Sequence, residues 1–477
     1  MPENSWSNAE SESELDPLSS LLSEWEDPED EEEEFRSDFF QGTEGRRSKA
    51  AFLLISVWGI IFTLHLVHWG FGLVMSVTGI LVVYFLRLMV AKPNPMPQML
   101  REEELAIAPT VSLLVAAKNE EAVIARLINI LCNLDYPRDR YEVWAIDDAS
   151  DDRTPEILDS LAARYPHLKV IHRPVGAGGG KSGALNQVLS RTKGEILAVF
   201  DADATVEPDL LRRVVPMFDD DNMGAVQVRK AIANAGKNFW TQGQRAEMAL
   251  DCYFQQKRIA IGGMGELRGN GQFVRRKALE SCGGWNEQTI TDDLDLTIRL
   301  HLDRWDIGCC LTPAVNEEGV TDVVSLWHQR SRWAEGGYQR YLDYWRLIAR
   351  NRMGFIKTCD LLTFVVIHYI LPTAAIADFV AAIVRHHLPI LGILSSCAIA
   401  FSTVCMFIGL YRIRNPRGFN LPVILGLVWR SLLGTLYLIH WFFVMPATTA
   451  RMAVRPKRLK WVKTTHQGAV EEGLKVS

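Results

Sequence analysis

No cysteine in this chain stands in a zinc-like spacing. The eight cysteines are scattered, Cys309 and Cys310 are neighbours, and none forms a CxxC pair or a Cys/His set. That pattern argues against a zinc module and for reduced, packed thiols in a cytosolic domain. Bases are nearly missing at the start. Residues 1–40 carry 15 Asp or Glu against one base, Arg36. A secretory leader needs bases before an apolar core, so none is expected. A P-loop is lacking too: Gly180-Lys181-Ser182 resembles its end, but Val175 stands where its first glycine is required. Scattered bases are the only hint of nucleic-acid binding, and no such partner is expected.

The acidic start hides the charge of the rest. Fifteen acids and one base make −14, the whole chain is −6, and the remainder is therefore +8. A basic body suits an anionic substrate and an anionic membrane surface, and equally an ordinary solvated surface. Residues 1–45 read as a disordered acidic tail. Residues 50–91 are almost wholly apolar and long enough for a two-helix transmembrane hairpin. Arg46, Arg47 and Lys49 flank one end, Arg87 and Lys92 the other, which puts both ends in the cytoplasm.

Residues 109–352 then alternate strand and helix patterns. Thr110–Ala116, Tyr141–Ile146 and Ile196–Phe200 read as strands, and Val123–Leu134, Pro155–Tyr165 and Ser182–Arg191 as helices. This predicts an α/β domain with a mostly parallel sheet covered on both faces, inserted between membrane helices. Apolar runs return at about 360–384, 388–411 and 421–446, the first with Pro372 as a potential kink. A basic loop, Tyr411–Arg417, and a basic tail, 447–477, both favour the cytoplasm. They cannot both lie there if every run crosses once. One run lies at the interface, or the last breaks near Gly434, or the charge rule fails. Arg430 within the last run is costly in lipid and is expected to face protein, water or a headgroup.

Polar motifs follow the apolar strands. Lys118-Asn119-Glu120 ends the first, Asp147-Asp148 the second, and Asp201-Ala202-Asp203 the run Ile196–Phe200. On an extended chain Asp201 and Asp203 point the same way, so both can approach one cation. Hard oxygen ligands suit magnesium held together with a diphosphate. A solvated acidic turn would look similar, and Asp147-Asp148-x-Ser150 also reads as a helix cap. Thr291-Asp292-Asp293 opens a helical pattern, which an acidic N-terminus alone would explain. Gln329-Arg330-Ser331-Arg332-Trp333 closes the series. Gly178-x-Gly180-x-x-Gly183 fits a dinucleotide fingerprint and keeps an NAD-dependent oxidoreductase as a remote alternative, one that leaves the later motifs unexplained.

Together these motifs resemble family 2 glycosyltransferases over roughly residues 109–340, specifically the membrane-integrated branch with cellulose and hyaluronan synthases. The resemblance implies a GT-A type nucleotide-sugar domain and a magnesium ion, with manganese an acceptable substitute. It implies Asp293 as catalytic base, where Asp292 replaces the usual Glu. It also implies donor nucleotide contacts from Glu120, Asp147, Asp148, Lys181 and Asp201, and metal contacts from Asp201 and Asp203. Gln329, Arg332 and Trp333 would meet the diphosphate and the acceptor, with Gly271 and Gln272 in the acceptor-end loop. Val226-Gln227-Val228-Arg229 resembles another family strand, with Val where polymerising members often have Thr. Few apolar runs and no PilZ-like module resemble the lipid-glucosylating members. The implied reaction is UDP-glucose plus 1,2-diacylglycerol giving β-glucosyldiacylglycerol and UDP, in a multi-pass protein whose catalytic domain is cytoplasmic. A processive β-polysaccharide synthase is the alternative.

Overall fold

A computed structural model describes residues 45–414 and 420–454. The acidic tail up to residue 44, residues 415–419 of the basic loop and the basic end from 455 lie outside the described residues.

Two long apolar helices come first, α1 (Arg46–Leu66) and α2 (Gly70–Val90). Their turn is tight enough to require glycine: a Cβ on Gly70 would lie 2.0 Å from the Leu64 carbonyl oxygen. Then β1 (Val111–Ala117), β2 (Tyr141–Asp147), β3 (Leu168–His172), β4 (Ile196–Phe200), β5 (Met223–Ile232), β6 (Gln272–Arg275) and β7 (Asp306–Glu317) form one sheet, in the order β3-β2-β1-β4-β6-β5-β7. Only β6 runs antiparallel to its neighbours. The connections carry α3 (Ile124–Leu131), α4 (Thr154–Arg164), α5 (Gly180–Leu189), α6 (Phe239–Ala260) and α7 (Asp292–Leu302). The long α8 (Val323–Ala349) leads back to the membrane helices. Leu113 and Val115 of β1 pack with Leu127 and Ile128 of α3, while Leu114 packs on the other face with Leu185 and Val188 of α5. This two-sided burial explains why β1 and β4 read as unbroken apolar runs.

The final elements are α9 (Phe355–Val365), α10 (Leu371–Arg385), α11 (Gly392–Arg412), α12 (Leu421–Leu438) and α13 (Trp441–Val454). A π turn at Val366–Ile370 joins α9 to α10. Pro372 offers no backbone N–H to that turn, and the wider coil ahead of it absorbs the lost bond. Among the described residues, five helical stretches are long and apolar enough to cross a bilayer: 46–66, 70–90, 355–385, 392–412 and 421–454.

The last stretch breaks after Leu438, beyond Gly434. Gly434 is needed for close packing instead, because a Cβ there would lie 2.3 Å from Met406 Sδ and 2.7 Å from Ala246 Cβ. Both ends of α13 reach the sheet domain. Trp441 Nε1 donates to Glu247 of α6 at 2.8 Å. At the other end Thr449 Oγ1 donates to the Tyr338 hydroxyl at 2.7 Å, and Arg451 lies 3.5 Å from Glu335, both on α8.

Candidate active site

Neighbouring parallel strands deliver their ends to one edge. Register pairs Ala117 with Asp147 and Val115 with Phe200. Lys118–Glu120, Asp147–Asp148 and Asp201–Asp203 therefore leave the sheet side by side, where open α/β sheets bind ligands. A cavity of about 1100 Å³ opens there. Its polar wall includes Glu120, Asp148, Lys181, Asp201, Asp203, Asp292, Asp293, Gln329, Arg332 and Trp333. Motifs far apart in sequence thus converge on one space.

Asp147, Gly271 and Gln272 are not part of that wall. Asp147 is buried and builds the turn: its Oδ2 meets His172 Nδ1 at 3.0 Å, and its Oδ1 accepts the Ser150 N–H at 3.1 Å. Gly271 has φ 74° and donates its N–H to the Val199 carbonyl at 3.0 Å. Gln272 is fully buried, with Nε2 3.4 Å from Asp292 Oδ2. Of the three, Gln272 supports a residue that faces the cavity, Asp292, while Asp147 and Gly271 hold the strand ends behind it.

The two carboxylates of Asp201 and Asp203 meet the cavity through a turn rather than along an extended strand. β4 ends at Phe200, and the Ala204 N–H closes onto the Asp201 carbonyl at 3.0 Å. Asp203 is buried and accepts the Glu318 N–H at 2.9 Å. β7 supplies that contact because Thr205 bridges Asn316 at its end. Asp201 Oδ1 lies 2.6 Å from Lys181 Nζ. Burial disfavours the charge on Lys181, but Asp201 and then Asp292 hold its pKa above the ordinary lysine range.

Among the described residues, no cluster of three or more His, Cys, Asp or Glu is arranged to hold a metal unaided. The donor set of Asp201 and Asp203 fits an ion that takes one or two carboxylates and completes its shell with substrate phosphate.

Asp293 lies in the first turn of α7, with Thr297 Oγ1 donating to its carbonyl at 2.9 Å. Gly269 borders it; a Cβ there would stand 3.5 Å from Asp293 Oδ2. Burial and then the Asp292 charge raise the Asp293 pKa to about 6, against the opposing pull of the Leu294 N–H, Lys181 and Lys230. Acting as a base, Asp293 would have to be ionised, so protonation as the pH falls through about 6 would remove it. The expected kcat/KM profile drops tenfold per pH unit below that value. An acidic limb near 4, the ordinary Asp value of about 3.9, would contradict the assignment.

Several residues around the site gave little or no sequence signal. Lys230 pairs with Glu317 at 2.9 Å and stands 5.3 Å from the Trp333 ring centre. Arg330, inside the Gln-x-x-Arg-Trp run, is fully buried with its guanidinium 3.9 Å from the centre of the same ring. It donates to Glu247 at 2.5 Å and to Tyr437 at 2.9 Å. Position in the motif was the only clue to Arg330; its partner lies 83 residues away. Arg173, buried, pairs with Asp148 and donates to the Gly178 carbonyl at 2.5 Å, fixing the glycine-rich turn before α5.

Comparison with known proteins gives the family. The model of "Glycosyl transferase family 2" matches residues 112–283. The chain is 56% identical to a beta-monoglucosyldiacylglycerol synthase of Synechocystis sp., over 100% of this chain and 99% of that one. It is 58% identical to the protein of the same name from Trichormus variabilis, over 99% of this chain and 100% of that one. Among solved structures, mannosyltransferase PcManGT from Pyrobaculum calidifontis, in complex with GDP-Man and Mn2+, superposes with a TM-score of 0.50 at 21% identity, covering 80% of this chain and 99% of that one. That likeness shows the GT-A fold. With identity above one half from end to end, the chain belongs to the beta-monoglucosyldiacylglycerol synthases, glycosyltransferases of family 2.

Proposed function

We propose that the cavity transfers glucose from UDP-glucose to the free hydroxyl of 1,2-diacylglycerol. The carrying observation is that the carboxylate-lined cavity continues without a break between the apolar helices, past Ile367, Leu371, Ala398, Phe401, Leu438 and Phe442. An apolar wall suits acyl chains; a polyhydroxylated polymer would leave its hydroxyls without partners there.

Asp148, Glu120 and Lys181 hold the nucleotide end of the donor. Arg332 offers its guanidinium to diphosphate oxygens. Asp201 and Asp203 would hold a divalent cation, magnesium or manganese, which when bound neutralises charge on the leaving diphosphate. Asp293 takes the proton of the acceptor hydroxyl as that oxygen bonds to the anomeric carbon. The bond from that carbon to the diphosphate breaks, and UDP leaves with the electron pair. One displacement inverts the centre, so the α-linked donor gives a β-glucoside. The anomeric coupling constant of the product tests this: a β linkage is expected, and an α linkage would overturn the single displacement.

The sheet domain lies on the cytoplasmic side, and the last apolar stretch folds back to it. The contacts at both ends of α13 support this reading, and it removes the conflict between the two basic segments. A single cysteine added at residue 477, in a variant with its native cysteines replaced, should react with an impermeant maleimide only after the membrane is opened. Labelling of intact cells would contradict the fold-back.

A further inference from the structure

We propose that the membrane-facing half of the cavity is the seat of the diacyl acceptor, which enters sideways from the bilayer between α11 and the elbow joining α12 to α13. This rests on the lipid-acceptor reading above and adds the lipid's route and site.

Three observations carry it. First, the cavity is continuous from Asp293 to the membrane helices, and its volume of about 1100 Å³ exceeds the roughly 300–1,000 Å³ of a single small-ligand pocket. A nucleotide sugar and part of a second molecule fit together. Second, the cavity has an open side and a closed side. Ile399 of α11, Leu436 in the last turn of α12 and Ile439 of the elbow line it and remain 41%, 56% and 44% exposed. Both elements belong to apolar stretches long enough to cross a bilayer, so an opening rimmed by these side chains would face acyl chains. Towards α2 the way is shut, because Phe401 stacks on Phe85 at 4.2 Å with Phe254 behind it. Third, the α11 residues on the wall are Phe401 and, on one helix face, Ser395, Ala398, Ile399 and Ser402, and three of those four are small. The space they leave lies on the path from the rim to the carboxylates.

The physical reason for a lateral path is simple. A diacyl lipid that left the bilayer through water would expose every methylene, whereas an apolar rim at membrane depth lets the chains stay covered while the glycerol end reaches Asp293.

The test uses the full chain in lipid nanodiscs, with a diacylglycerol carrying a diazirine in one acyl chain. The expected result for the wild type is photolabel on peptides from 392–412 and 436–445. Ala398→Phe and Ser402→Phe fill the path. Each should lose the label and lower glucose transfer at least tenfold, with UDP affinity unchanged as the sign that the sheet domain is folded. Wild-type protein that glucosylates diacylglycerol but takes label outside this cavity overturns the route alone, and needs no variant to do so. Both variants transferring at the wild-type rate would overturn it as well. Wild-type protein that makes no glucosyl lipid overturns the acceptor reading and the route with it.

Discussion

Asp293→Asn lowers glucose transfer by roughly a thousandfold, the middle of the range for loss of a general base. The substitution keeps the shape of the side chain and removes only its charge and its ability to take a proton. Asp293 is the carboxylate at the mouth of α7 whose burial and neighbour Asp292 raise its pKa to about 6, a value suited to a base working near neutrality. Two cations, Lys181 and Lys230, face it and keep it from rising further. Removing one negative charge beside the diphosphate site leaves UDP binding intact or tightens it. Steady-state transfer and UDP titration of the same preparation separate these effects. Full activity in Asp293→Asn would remove this residue as the base. A parallel loss of UDP affinity would assign it to donor binding.

Asp203→Ala abolishes the metal-dependent part of UDP binding, a loss on the order of ten- to a hundredfold in affinity, as expected when a charged contact is removed. The carboxylate is buried and held in place by the Glu318 N–H, so it is fixed before any ligand arrives. Because alanine also strands that N–H, Asp203→Asn is the companion variant: it keeps an oxygen for Glu318 and lacks the charge. Calorimetry of UDP with and without magnesium should show a large difference in the wild type and almost none in either variant. An unchanged magnesium effect would contradict the metal assignment.

Much of this site could be read from the chain because its carboxylates stand where apolar strands stop. Ile196–Phe200 must be buried on both faces, so Asp201 has to emerge at the sheet edge, and parallel pairing with β1 fixes which edge. The mostly parallel sheet covered on both faces followed from the same alternation of strand and helix, and its GT-A type from the family resemblance. What stayed hidden depended on long-range packing. Asp147 looked like Asp148, but the neighbouring strand brings His172 against one and Arg173 against the other. The turn after Phe200 reflects the approach of β7, which no local pattern announces. Arg330 looked like one more base in a motif, yet its charge is met by Glu247 and Tyr437 from two other helices. The break after Leu438 carries neither glycine nor proline, while Gly434 nearby serves contact with Met406 and Ala246.

The measurement that bears most directly on the central claim uses the detergent-purified chain with labelled UDP-glucose, magnesium and diacylglycerol, followed by organic extraction. Label is expected in a single extractable glycolipid, in an amount that depends on added diacylglycerol. Label confined to ethanol-insoluble polymer would contradict it and support a polysaccharide synthase.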